Sequence, residues 1–276
     1  MSPTSATWTS VRVRKPNDRA AVISALFEAG AEGVQELDDE IVTHIRDADQ
    51  GKVTSAVRRV DAGATVEYGQ TPAVDWSAEW RSRITAHRLE RLVVTPPWLA
   101  DRFAESERII IDPGMAFGTG DHETTRGVLR LLQRVIRPGD TVADLGPGSA
   151  VLGIGAAKLG AARVIAIELD PDAIGNAEEN VQRNGVADRV TVIEGDAALL
   201  LPLVAPVRVV LANILSSVLT ALMPVIADAL TPDGVAILSG ILTAEKGDIE
   251  AAAESGGWRI VETDQEDMWW SASIAR

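Results

Sequence analysis

Asp144, Gly146, Gly148, Glu168, Asp196 and Asn213 are the residues whose types and order suit ligand chemistry in this chain. Gly146 and Gly148 lie between a buried apolar run, Thr141–Leu145, and a small-residue helix, Val151–Leu159, ended by Gly160. Glycine lets a backbone come close to a ligand, and the first N–H groups of the following helix are free to bond it. The dinucleotide pattern G-x-G-x-x-G fails because its third position is Val151, and no G-x-x-x-x-G-K-[ST] phosphate loop occurs. Glu168 is a carboxylate that can accept from two ribose hydroxyls. Asp196, in EGDA, is placed to accept from an exocyclic amine. Asn213, in LANIL, can both donate and accept. Together they describe a site for an adenosine that carries no phosphate. Taken singly, each has a plainer reading: a structural turn, a solvated strand end, an ordinary turn residue. Asp170, beside Glu168, reads as the N-cap of a helix opened by Pro171.

These residues need a sheet to bring them together. From Arg108 onward strand and helix patterns alternate. Strands are predicted at Arg163–Glu168, Val190–Glu194, Val207–Ala212 and Val235–Ser239, with helices at Pro171–Asn184, Ser217–Leu230 and Ala244–Ser255. Such alternation predicts an α/β fold with a doubly wound, mostly parallel sheet, and ligands bind beyond the carboxyl ends of its strands. Trp258–Thr263 and Met268–Ile274 lie close enough for a final antiparallel hairpin. Earlier, residues 7–68 read as βαββαβ, a ferredoxin-like α+β unit, with Asn17 as the cap of its first helix. The predicted division is a ferredoxin-like domain over 1–69, a linker with a short helix over 70–104, and the α/β domain over 105–276. The linker helix starts at Asp75 and carries Trp76 and Trp80. Arg81, Arg83, His87, Arg88 and Arg91 form its basic patch.

Composition narrows the chemistry. The chain has 276 residues and no cysteine, which excludes disulfides, thiol nucleophiles and Cys-ligated metals. Three histidines have no metal-ligand spacing. The net charge of −14 argues against a partner held through phosphates and suits a basic protein substrate. No apolar run reaches the roughly 18–20 residues of a membrane span, and the N-terminus does not read as a signal peptide, so a cytoplasmic protein is expected.

The chain resembles the PrmA family, the bacterial methyltransferases of ribosomal protein L11. The likeness covers about residues 8–276. It is carried by DPGMAFGTGDHETT (Asp112–Thr125), Asp144–Pro171, NAEENVQRNGV (Asn176–Val186), LANIL (Leu211–Leu215) and LSGIL (Leu238–Leu242), with DWSAEW and PPW in the linker. The resemblance implies a class I methyltransferase domain of Rossmann-like, seven-stranded form behind a ferredoxin-like substrate-recognition domain. It implies S-adenosylmethionine as donor, with lysine ε-amines and the N-terminal α-amine of L11 as acceptors. From charge and apolar run lengths neither membrane nor direct nucleic-acid contact is expected, and a monomer is expected. The family's cofactor positions fall on Thr125, Gly146, Glu168 and Asn213. Asn213 is expected to orient the amine or the methionine portion, while Thr125 and the Gly118–Gly120 backbone close over the methionine end. Three departures stand out: Pro147 and Ala150 replace Cys and Gly in the turn, Glu168 replaces Asp, and Asp121 and Glu123 add charge beside the loop histidine. His122 is an alternative base, though bonding to backbone is its plainer role. Trp269 or Trp270 is placed to wall the acceptor site or simply to pack.

Two alternatives stay open. One keeps the chemistry and changes the acceptor to another protein lysine or a small amine; Asn213-Ile214-Leu215 argues against the N/D-P-P-Y/F subclass that methylates nucleobases or glutamine. The other is a non-catalytic adenosine-binding protein, supported only by the altered turn.

Overall fold

The computed structural model describes residues 8–46, 48–70, 84–112 and 120–276. The chain forms two compact units, residues 1–83 and 84–276.

The first unit runs β1 (Trp8–Arg14), α1 (Arg19–Glu28), β2 (Ala31–Leu37), β3 (Glu40–Arg46), α2 (Gln50–Val60) and β4 (Thr65–Gln70). Its sheet is antiparallel throughout, in the order β2-β3-β1-β4. Alternation in β1 and β3 turns Val11, Val13, Ile41 and Ile45 inward, against Val22 and Leu26 of α1 and Val53 and Val57 of α2. The cap of α1 is Asp18, which accepts from the Ala21 N–H, and not the expected Asn17. Asn17 is committed elsewhere: its backbone N–H and its side-chain amide both donate to Asp61.

The second unit begins before the expected boundary at 105. Residues 84–104, assigned above to a linker, are part of it. β5 (His87–Leu89) and β6 (Leu92–Thr95) form a hairpin, and β6 pairs in parallel with β7 (Arg108–Ile110). The physical reason is β6 itself: LVVT is buried along its whole length, so it needs a core on both faces. Leu92 and Val94 find it with Ile109, Leu129 and Ile154. The predicted helix around Trp76 and Trp80 lies outside the described residues.

The remaining strands are β8 (Thr141–Leu145), β9 (Arg163–Glu168), β10 (Val190–Glu194), β11 (Val207–Asn213), β12 (Leu230–Leu242), β13 (Arg259–Glu266) and β14 (Trp269–Ala275). They make one sheet in the order β10-β9-β8-β11-β12-β14-β13. Within this sheet β14 alone runs opposite to the other strands, as the closing hairpin predicted. This is the class I methyltransferase arrangement, and the first unit has the ferredoxin-like strand order. Helices α3 (Glu123–Val135), α4 (Val151–Lys158) and α5 (Pro171–Arg183) cover one face; α6 (Ala197–Val204), α7 (Ser216–Ala229) and α8 (Lys246–Ser255) cover the other. Helix α6 is absent from the sequence reading because ALLLPLV is apolar all round and interrupted by Pro202, so it shows no 3.6-residue stripe. Among the described residues no helix is long and apolar enough to cross a membrane.

Candidate active site

Register assembles the site. Ala212, Leu145 and Ile167 lie side by side on β11, β8 and β9. The next residues on each chain, Asn213, Gly146 and Glu168, therefore open the carboxyl edge of the sheet together. Glu168 lies opposite Glu194 on β10, and Asn213 opposite Ser239 on β12. Residues separated by up to 67 positions in the chain (213 − 146) become neighbours through parallel pairing alone.

The glycine turn has the conformation its sequence requires. Gly146 and Gly148 take φ of +67° and +54°, where a side chain is disfavoured. A Cβ on Gly146 would lie 2.7 Å from Ile214 Cγ2, so its absence keeps this edge open. Ala150, where the family has glycine, also sits in the left-handed region at φ +64°. Such a conformation costs an alanine about 1–2 kcal/mol, but Ala150 is fully buried, and a buried methyl contributes roughly 0.8 kcal/mol in return. The departure thus carries a net cost of roughly 0.2–1.2 kcal/mol and leaves the turn intact.

Glu168 is 8% exposed, and both of its oxygens are fixed by backbone. Oε2 accepts from the Gly148 N–H and Oε1 from the Asp170 N–H, each at 3.0 Å. Its partners are amides, not a Lys or Arg, so its charge is held in place without being neutralised. Each oxygen keeps a further lone pair for a donor from outside. Asp170 caps α5, as expected. Asp144, beneath the turn, is fully buried; Oδ2 accepts from the Gly153 N–H at 2.8 Å and Oδ1 has no partner among the described residues. Burial, with the nearby Glu168 charge adding to it, pushes its carboxyl up to about 7.

Thr125 and Asn213 meet. Asn213 Nδ2 donates to Thr125 Oγ1 at 3.5 Å, and Thr125 is fully buried on the first turn of α3. Asp196 is exposed and caps α6, accepting from the Ala198 N–H at 2.8 Å; its second oxygen is not used by that bond. Gly120 takes φ +91° and packs so close to β6 that a Cβ would lie 2.4 Å from Val94 Cγ1. Gly118 lies outside the described residues. His122 caps α3: its Nδ1 accepts from the Thr124 N–H and lies 2.8 Å from Thr124 Oγ1. Trp269 stands edge-on to His122, ring centres 4.9 Å apart, while Trp270 is buried in the core.

Several contacts were not legible beforehand. His87 and Asp121 pair at 2.6 Å, and Glu123 pairs with Arg126 at 3.1 Å. The acidic departures around His122 therefore meet partners within the chain: an imidazole at Asp121 and a guanidinium at Glu123. Asn180 is fully buried; its amide donates to the Ser149 carbonyl of the turn and its oxygen accepts from the Asp112 N–H. The signal for it was an amide in the NAEENV segment, on the buried face of α5.

The arrangement fits an adenosine-type cofactor: an open glycine edge, a fixed carboxylate with spare acceptor capacity, and an amide–hydroxyl pair beside them. The family described as "Ribosomal protein L11 methyltransferase (PrmA)" matches residues 19–276. The chain belongs to the PrmA family. Relatives within PrmA agree. The ribosomal protein L11 methyltransferase of Pelotomaculum thermopropionicum is 44% identical over 197 residues, 71% of this chain, which spans 63% of that relative's length. That of Thermus thermophilus is 36% identical over 248 residues, covering 90% of this chain and 91% of the relative. A solved structure, the ribosomal protein L11 methylase from Lactobacillus delbrueckii subsp. bulgaricus, superposes with a TM-score of 0.62 at 33% identity, over 70% of this chain and 99% of the other.

Proposed function

We propose that this PrmA protein transfers methyl groups from S-adenosylmethionine to lysine ε-amines and the N-terminal α-amine of ribosomal protein L11. The observation that carries the reading is the meeting of Asn213 and Thr125 beside the Gly146–Glu168 edge. When bound, S-adenosylmethionine supplies an electrophilic methyl group on a sulfonium. The chain's part is positioning, and a near-attack geometry is worth roughly 7–11 kcal/mol. Glu168 accepts from the ribose hydroxyls through its spare lone pairs. Gly146 and Gly148 let the backbone approach, and the free oxygen of Asp196 accepts from the base amine. The Asn213 carbonyl oxygen orients the acceptor amine or the methionine portion, with its NH₂ held by Thr125. Free lysine has a pKa near 10.4, so the acceptor must first lose a proton. His122 spends Nδ1 on the cap of α3, which favours proton loss to solvent.

The acceptor assignment is supported by the names of the relatives and by charge. An acidic chain of −14 attracts a basic protein. Asp121 and Glu123, beside the loop histidine, are bonded within the chain by His87 and Arg126. Labelled S-adenosylmethionine incubated with the purified protein and L11 tests the proposal: label enters L11. No label in L11, with another protein labelled in the same mixture, refutes the acceptor.

A further inference from the structure

Ser239 and Ser271 are hydroxyls buried between the sheet and α3, with exposures of 0% and 3%. A hydroxyl in a sheet core costs stability unless it is bonded. Ser239 Oγ lies 3.3 Å from the Thr124 carbonyl and donates to it. A serine has one proton, so the 2.7 Å contact between the two hydroxyls is made by Ser271 donating to Ser239. The same Ser239 is register partner to Asn213, and its carbonyl accepts from the Ile214 N–H at 3.2 Å. One residue thus grips both halves of the site: the strand that carries Asn213 and the helix turn that carries Thr125.

The surroundings are built for that grip. At Gly240 a Cβ would fall 2.3 Å from the Ile214 carbonyl oxygen, so only glycine lets β12 follow the chain after Asn213 this closely. At Gly127, one turn along α3, a Cβ would fall 2.6 Å from Ser271 Oγ. Two glycines and two serines hold helix and strand at contact distance around the Thr124–Thr125 peptide. This gives the LSGIL segment a role that its sequence alone did not suggest.

We infer that Ser239, backed by Ser271, is a positioning residue that fixes Thr125 against Asn213 and so sets cofactor affinity. The inference rests on the reading of that pair as cofactor-facing. Calorimetric titration with S-adenosylhomocysteine tests it, with wild type, Ser239→Ala, Thr125→Ala and the double variant. Ser239→Ala is expected to bind about fivefold to tenfold more weakly, the effect of one lost hydrogen bond. In the Thr125→Ala background the same change is expected to alter affinity by less than about twofold, because coupled residues are not additive. A merely structural serine gives independent, multiplying losses, and that result overturns the inference, as does a Ser239→Ala protein that binds like wild type. If Ser239→Ala does not fold, Ser271→Ala takes its place in the cycle under the same two criteria. A wild-type protein that fails to bind overturns the cofactor reading itself, and this inference with it.

Discussion

Glu168 bonds two amides at once, and that limits what can replace it. In Glu168→Gln one oxygen becomes an NH₂, which must face either the Gly148 or the Asp170 N–H. Hydrogen bonds to a charged group are worth about 1.5–3 kcal/mol, so cofactor affinity is expected to fall by roughly ten- to a hundredfold. Titration with S-adenosylhomocysteine checks this; an unchanged affinity would mean the carboxylate is only a strand end. Asp144 bears on stability instead. Its folded-state pKa of about 7 lies above the ordinary 3.8, mainly through burial. Between those values the folded chain keeps a proton that the unfolded chain has lost, so stability declines as pH rises from about 4 to about 7. Asp144→Asn cannot ionise, and urea unfolding at several pH values is expected to show a flatter profile for the variant. Parallel profiles contradict the assignment. At this scale the sequence exposed polar residues that end apolar strands, which is how Glu168 and Asn213 stood out. Ser239 was silent, because a serine inside a strand looks ordinary until its partner, 115 residues away, is placed beside it.

Helix α3 is tied to β13 by a ladder of ion pairs. Arg126, Arg130 and Arg134 recur at helical spacing, and Glu266, Asp264 and Glu262 recur at strand spacing. The rungs differ in value. Arg130 is largely covered and bonds Asp264 through two nitrogens at 2.7 and 2.6 Å, with Glu266 at 2.8 Å. These partners hold its pKa above the usual arginine range. Arg134 is exposed. Removing Arg130 takes the bidentate cation from Asp264, while Glu266 keeps Arg126, so Arg130→Ala is expected to cost about 2 kcal/mol. Arg134→Ala is expected to cost under about 1 kcal/mol. Denaturant midpoints decide, and equal losses at both positions contradict this account. The parallel strands were legible because buried strands read as continuous apolar runs. Helix α6 was not, since apolar runs of its kind carry no period, and β6 was misassigned to a linker because its core partners come from distant segments.

For the whole molecule, the βαββαβ unit, the mostly parallel sheet and the closing hairpin were legible in the patterning, whereas the order of strands within each sheet was not, and the boundary between the units depended on which core claimed residues 84–104. The net charge of −14 acts at this scale as well. If it gathers a basic acceptor, raising ionic strength from about 0.05 to 0.5 M shortens the screening length to a few ångströms. The KM for L11 is then expected to rise several-fold, with cofactor affinity nearly unchanged because Glu168 and the turn make short-range contacts. Steady-state kinetics at the two salt concentrations separate these effects, and a salt-independent KM would show that charge does not guide the acceptor. Methylation of L11 by this site is the proposal on which the acceptor predictions depend. Mass spectrometry of ribosomal proteins from cells with and without this protein tests it most directly. The expected result is methylated lysines and a methylated N-terminal amine on L11 only when the protein is present. An L11 of identical mass in both, alongside a mass change in a different protein, would contradict it.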